Sequence, residues 1–402
     1  MKRVIVVLTL LVLGLALPSV SGATNGDNLI GIGPISRAMG GVGVAAPQDA
    51  ISAVFANPAA MCFGPYCPGS EAVFSGTFFD ATVTGKIDAS RMGMGVSKAT
   101  SRMKPFVVPA IGITSPITPR LRFAIGAYGV SGMGVDYKEK GALFQDLFTK
   151  LEIMKFAPNL AYMISPNFSV GISVSIDYAN FDLGSGGAHD YTMGIQVGAL
   201  YHMGHFNFGA SYITPQKSKH ERVGDFDGNN SLDTLELEAP HTLTFGISYE
   251  PNKKFLIEFD TKWYNWSDAK GYEDFDWDDQ WVFAIGAQFR PISKLALRAG
   301  FNYGKNPVKE HNGWNPAGTT NVQGIDVPNF NYEALRIVGF PAIVEKHLTL
   351  GLGYDLTQRM VLTLSYMHAF EESIEESSLG NMAELKATNK ENSFSFGLTW
   401  RF

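Results

Sequence analysis

The sequence predicts an all-β protein, a fourteen-stranded antiparallel transmembrane β-barrel with an N-terminal hatch plugging its lumen. Three observations predict it. The chain opens on an export leader. No later run reaches the roughly 18 apolar residues that a spanning helix needs. From about residue 71 to the end, apolar residues recur at every second position over segment after segment. That dyad is the pattern of strands with lipid on one side and a wet lumen on the other.

The leader occupies residues 1–23. Lys2 and Arg3 form a charged start, residues 4–17 are apolar, and Ser19, Ser21, Gly22 and Ala23 are small. This is a secretory signal, with cleavage expected after Gly22 or Ala23; the alternative is an uncleaved anchor. An exported chain without an apolar helix is soluble periplasmic, secreted or a barrel. The net charge of -6 gives no reason to expect nucleic acid as a partner.

Residues 24–70 read as the hatch. The stretch 31–61, GIGPISRAMGGVGVAAPQDAISAVFANPAAM, is rich in Gly and Ala and almost uncharged. It is too small-residued to build a core and too apolar for a solvated tail. Something must surround it.

Residues 71–402 read as that container. Phe394, Phe396, Leu398, Trp400 and Phe402 alternate with Ser393, Ser395, Gly397, Thr399 and Arg401. Leu348, Leu350, Leu352 and Tyr354 alternate with His347, Thr349, Gly351 and Gly353. A soluble sandwich also alternates, but its strands are shorter and its outer face carries charge. Fourteen strands are expected near 71–85, 104–115, 121–132, 151–164, 167–179, 188–203, 205–216, 238–250, 253–266, 279–290, 293–303, 344–356, 359–371 and 391–402. An even number fits a single-chain barrel, and the connections alternate between short turns and long loops. The long ones are 86–103, 133–150, 180–187, 217–237, 267–278, 304–343 and 372–390. Short turns face the periplasm, so both chain ends lie there and the hatch enters from below.

The run 36–61, SRAMGGVGVAAPQDAISAVFANPAAM, resembles the N-terminal signature of the FadL/TodX outer-membrane transporters. Its steps are Arg37, Gly41 and Gly43, then Gln48-Asp49-Ala50, then Asn57-Pro58-Ala59. The segment 122–137 and the ending Trp400-Arg401-Phe402 are similar to that family as well. The sequence departs at Pro47-Gln48-Asp49, where two acidic residues are more usual. The resemblance implies passive uptake of hydrophobic molecules: long-chain fatty acids in the best-known members, aromatic hydrocarbons in others. It implies loop capture, a lumen site beside the mature N-terminus, and lateral exit through a kinked third strand. Leu29, Ile30 and Ile32 would lie nearest that ligand, and Asn57, Pro58 and Ala59 would join plug to wall. The implied partners are a hydrophobic small molecule and outer-membrane lipid or detergent, with the protein a monomer. A structural or adhesive barrel and a barrel hydrolase are the other classes to weigh. The eight His residues show no nucleophile-base-acid grouping by spacing, which argues against an enzyme.

Several features carry their own chemistry. Gly129, Gly132 and Gly134 crowd the end of the third strand; Gly inside a strand marks a bulge or bend, here the expected kink. Leu143 with Leu147, and Phe144 with Phe148, are i,i+4 pairs that predict an amphipathic loop helix for capture. Loop 304–343, with Trp314, Phe330, Leu335, Ile337 and Phe340, supplies a partner surface. Loop 217–237 reads against the twelve-residue calcium loop: Asp225, Asp227, Asn229, Ser231, Asp233 and Glu236 place oxygens at positions 1, 3, 5, 7, 9 and 12, a candidate structural calcium site. No other cofactor is required. Cys62 and Cys67, the only cysteines, predict a disulfide in an oxidising periplasm. Lys262, Arg290, Lys294 and Arg298 are inward cations expected to pair with Glu258 or Asp260.

Overall fold

The computed structural model describes residues 25–402 apart from 68 and 104; the leader assigned to 1–23 lies outside the described residues. Fourteen strands close into one antiparallel barrel. β1 is Glu71–Ala89, β2 Phe106–Pro116, β3 Leu121–Asp136, β4 Phe148–Ser165 and β5 Phe168–Asp182. β6 is Ala188–Met203, β7 Phe206–Ile213, β8 Thr242–Asn252, β9 Phe255–Tyr264 and β10 Gln280–Ile292. β11 is Leu295–Gly304, β12 Lys346–Asp355, β13 Met360–Ser377 and β14 Glu384–Arg401. Each pairs with its chain neighbours, and β14 returns to β1 from Glu71↔Arg401 to Asp88↔Glu384. Closure gives each of the fourteen strands a partner on both sides, which a bilayer requires.

The alternation sorts the side chains as expected. On β14, Phe394 is 61% exposed and its neighbour Ser393 1%. The outward Leu348, Leu350, Phe283, Ile285, Phe245 and Ile172 are likewise exposed, a face that only lipid satisfies.

Six strands run at least three residues past their expected ends on the long-loop side, β3 among them to Asp136. β1 continues to Ala89, β4 starts at Phe148, β5 continues to Asp182, and β13 and β14 stay paired to Ser377↔Glu384, so the loop expected at 372–390 shrinks to 378–383. Above the lipid band the outward face needs no apolar residues. Charge pairs such as Lys386–Glu375 (2.6 Å) occupy it, and the dyad signal fades while the ladder continues. The long loops add small hairpins at Gln216–Gly224 with Asp233–Ala239, and at Thr319–Val322 with Ile325–Pro328.

The hatch lies inside. Helix α1 (Gly33–Ala38) takes Pro34 in its first turn. Helix α2 (Ala50–Ala56) is capped by Asp49, whose Oδ1 accepts from Ser52 N at 2.8 Å. A 3-10 turn (Pro58–Cys62) follows, capped by Asn57. Small residues let the plug touch the wall. A Cβ on Gly209 would sit 2.2 Å from Val44 O, and one on Gly300 2.2 Å from Gly40 N.

Candidate functional site: an apolar route from the loops to the wall

Route and hatch are assembled from many places in the sequence. At the outer end a groove of ≈ 220 Å³ is lined by Leu143, Phe144, Leu147 and Phe148 on one side and Phe330 and Leu335 on the other. The two loops expected to face each other do so. The capture helix does not form: one 3-10 turn (Ala142–Phe144) ends where Gln145 (φ 47°) and Asp146 (φ 56°) turn left-handed, and Phe148 already belongs to β4. The apolar quartet is gathered by this tight loop instead, with Phe144 stacked 4.6 Å from Tyr137.

Inward of the groove lies a smaller apolar pocket of ≈ 30 Å³ between Met133, Leu151, Phe181, Tyr272, Trp277 and Phe340. Its cation, Arg336, is already held. Nη1 meets Glu333 at 2.5 Å and Glu376 at 3.5 Å, and Nη2 donates to Lys309 O at 2.6 Å. Nothing in the periodicity pointed to these residues, because they come from loops and strand tops scattered along the chain.

Below it, the chain's N-terminal tip meets the third strand. Leu29 N donates to Val130 O (3.1 Å), Gly132 N donates to Asp27 O (3.2 Å), and Asn28 bridges Ser131. Tyr272 Oη donates to Asp27 Oδ2. Burial pushes the Asp27 carboxyl up to about 6. Leu29 and Val130 then line a lumen cavity of ≈ 70 Å³ with Phe55, Tyr128, Lys155 and Lys262. Ile30 and Ile32 are buried but do not line it. The lumen cations are engaged: Lys155 Nζ by Asp177 at 3.2 Å and Gln216 at 3.0 Å, Lys262 Nζ by Ile30 O and Gly41 O at 3.2 and 3.3 Å.

The tip rests on a defect in the wall. The β3–β4 register shifts between Gly129 and Ser131, leaving Val130 as a bulge. On its other side β3 pairs with β2 only from Pro116↔Arg122 to Ala110↔Tyr128. The ladder is interrupted from Gly129 upward among the described residues, until Arg102 N donates to Asp136 O at 3.0 Å. Gly129 and Gly134 flank this interruption. A Cβ on the first would sit 2.8 Å from Val108 Cγ1, and one on the second 2.3 Å from Thr149 O. Gly132 uses its N–H to hold the tip. The three glycines thus serve the interruption in different ways.

The hatch body is held differently. Asp260 Oδ2 accepts from Gly43 N (2.9 Å) and Val44 N (3.2 Å), and Glu258 Oε1 from Ala45 N (2.7 Å) and Ala46 N (2.9 Å). Their expected ion pairs with Lys262, Arg290, Lys294 or Arg298 do not form within 4.0 Å among the described residues; the carboxylates serve the hatch backbone. Asn57 Nδ2 donates to Val44 O (2.8 Å) and to Ala199 O on β6 (3.0 Å), while Ser169 Oγ on β5 donates to Ala59 O (2.8 Å). Asn57-Pro58-Ala59 therefore touches both plug and wall. Arg37, 1% exposed, donates to Ser393 Oγ at 2.6 Å.

Two expectations change. Cys62 and Cys67 are free thiols: Cys62 closes a buried turn, and Cys67 Sγ turns to the Cys62 carbonyl (3.1 Å) and Arg122 (3.7 Å). Burial pushes the Cys62 thiol up to about 12. In the calcium-like loop the carboxylates of Asp225, Asp227 and Asp233 lie within 4.8 Å of one another, and Asn230 is left-handed (φ 64°). Glu236 is not with them; it sits on the hairpin strand and pairs with Lys217 at 3.2 Å. The hairpin register, Glu236 opposite Lys219, holds the twelfth position on the strand. Asn229 Oδ1 accepts from Ser231 N (2.7 Å), and Asp225 accepts the N–H groups of Gly228, Asn229 and Asn230.

The family described as Outer membrane protein transport protein (OMPP1/FadL/TodX) matches residues 27–314. No curated protein matches the sequence. Among solved structures, the Pseudomonas putida toluene transporter TodX is similar at 18% identity and TM-score 0.69, over 93% of this chain and 99% of that one. A Pseudomonas aeruginosa FadL homologue gives 16% and 0.69, over 96% and 99%. The monoaromatic hydrocarbon channel CymD gives 18% and 0.62, over 94% and 99%. The closed fourteen-stranded barrel, its dyads and the match over most of the chain lead to one conclusion: this chain belongs to the OMPP1/FadL/TodX family of outer-membrane transport proteins.

Proposed function

We propose that the protein is a passive outer-membrane channel for small uncharged hydrophobic molecules, with compact aromatic hydrocarbons as the best-fitting class. One observation carries this reading: an apolar groove and pocket lead from the loops to a part-polar lumen cavity at the wall, and each cation along them is already engaged by protein oxygens. Arg336, Lys155 and Lys262 are each engaged by protein oxygens, and the groove carries carboxylates, Asp146 and Asp225. A fatty-acid carboxylate would have to displace one of those partners or meet repulsion. Solved relatives described as a toluene transporter and a monoaromatic hydrocarbon channel support the class by likeness of fold.

In this reading Phe144 and Phe330 take the ligand from the outside. It passes Phe340 and Trp277 to the tip at Leu29. The tip's few backbone bonds to β3 release, and the ligand leaves sideways between β2 and β3 into the membrane. The hatch body blocks the straight path throughout. The test is uptake of labelled toluene and of a labelled long-chain fatty acid by cells lacking and expressing the protein. Faster toluene entry alone is expected. Equal entry with and without the protein overturns transport; faster fatty-acid entry alone overturns the substrate class.

A further inference from the structure

A larger cavity lies off this route. At the short-turn end, beneath the hatch, a vestibule of ≈ 580 Å³ opens to the periplasm beside Gly204, His205 and Asn252. Its roof is the strip Ala45-Ala46-Pro47, whose neighbour Val44 lines the lumen cavity on the other side. The two spaces are therefore separated by the hatch backbone that Glu258 and Asp260 hold.

The vestibule has two kinds of lining. Phe63, Leu200 and Leu256 make an apolar floor, with the Phe63 ring stacked on His202 at 6.2 Å. Charge comes from Arg290, Arg401 and Lys253 against a single carboxylate, Glu250. Arg401 is already paired to Glu71 at 2.9 Å. Arg290 is not: among the described residues no carboxylate lies within 4.0 Å of it, and its guanidinium has no hydrogen-bond partner. Behind it Arg298, 6% exposed, is also without an ion pair among the described residues. Its Nε donates to Gln288 Oε1 at 2.8 Å, and its Nη1 has no partner. Arg298 is buried and Arg290 half-buried, and the carboxylates that attract them, Asp355 for both and Asp49 for Arg298, form no ion pair within 4.0 Å among the described residues, so their charge is compensated only in part and a bound anion offsets the rest. The apolar floor facing them sets what that anion carries.

We propose that this vestibule is a binding site for a small amphiphilic carboxylate entering from the periplasm, its head on Arg290 and its apolar body on Phe63, Leu200 and Leu256. The guanidinium accepts a carboxylate in a bidentate fork, and the floor removes an aryl or short alkyl group from water. The site is independent of the uptake route. It faces the other compartment and selects the charge that the route does not accommodate.

The experiment is fluorine NMR on the full protein in maltoside micelles, with 4-fluorobenzoate as probe and 4-fluorobenzamide as its neutral match. Saturable broadening of the benzoate signal is expected, and none of the amide. Arg290→Gln should weaken benzoate binding about tenfold, as loss of a charge-assisted contact does. Phe144→Ala, in the outer groove, should leave it unchanged. If Arg290→Gln does not fold, Phe63→Ala serves, with about fivefold weaker binding expected from the lost apolar contact. No saturable binding, equal binding of the amide, or loss of binding in Phe144→Ala alone overturns the proposal.

Discussion

The hatch has a body and a tip, and the protein holds them by different means. The body, residues 36–60, is fastened by buried side chains from the wall. Asp260 and Glu258 take four of its N–H groups, and Thr349 Oγ1 accepts from Gly40 N at 2.9 Å. Gln196 Nε2 donates to Phe55 O at 3.1 Å, and Asn57 spans plug and β6. The tip, residues 25–29, meets β3 through Leu29 N to Val130 O and Gly132 N to Asp27 O, and meets loop 267–278 through the Tyr272–Asp27 contact. Both parts are buried, but the body is held by many wall side chains whose loss would orphan buried partners, and the tip by fewer bonds set at the β3 interruption. In the proposed route the body is the stopper and the tip the part that moves, set against the β2–β3 interruption.

The contrast breaks most strongly at the body. Asp260→Ala or Glu258→Ala leaves two hatch N–H groups without acceptors and should cost about 2–4 kcal/mol each. Urea unfolding and protease cleavage within 36–60 check this; unchanged cleavage would dissolve the distinction between body and tip. Next is the wall. Deleting Val130 removes the bulge and lets the β2–β3 ladder extend past Tyr128, so toluene uptake should fall about tenfold in a barrel that still folds. Smaller is the groove: Phe144→Ala with Phe330→Ala strips apolar area worth about 1.5–3 kcal/mol per ring at most, and should slow uptake several-fold at low toluene only.

The tip itself carries a pH dependence. Its buried Asp27 has a pKa of about 6 against an ordinary 3.8. Between those values the docked tip binds more protons than the free tip, so docking weakens as pH rises from 4 to 6 and levels off above. Hydrogen exchange at Leu29 and Gly132, corrected for intrinsic rate, should show more opening at pH 7 than at pH 5, and Asp27→Asn should abolish the difference. The smallest effect is at loop 217–237. Three converging carboxylates without Glu236 should bind calcium weakly, at about millimolar concentration. A calcium titration of the folded protein that gave micromolar affinity would mean that the loop closes further than it does here.

What was legible in the sequence follows the lipid. Phe394 to Phe402 and Leu348 to Tyr354 announce strands because hydrocarbon demands an apolar residue at every outward position. Where β13 and β14 rise above the membrane, Lys386 and Glu375 replace that demand, and the strands were read as loop. Leu143, Phe144, Leu147 and Phe148 gather at one groove, but not as a helix face. Their spacing suits a helix, but left-handed Gln145 and Asp146 fold them into a turn. Glu258 and Asp260 were visible as inward acids, yet their partners are backbone N–H groups some 210 residues away, about which a local pattern says nothing. The kink glycines were legible by type. The interruption beside them was not, since it depends on where β2 stops pairing.

The most direct measurement locks the tip alone. Asn28 and Ser131 form an antiparallel bridge, a spacing that a disulfide spans. Asn28→Cys with Ser131→Cys, in a Cys62→Ser/Cys67→Ser background, should take up labelled toluene at the background rate when reduced and barely at all when oxidised, with reduction restoring entry. Uptake undiminished by the closed disulfide would contradict a route that turns sideways past the tip.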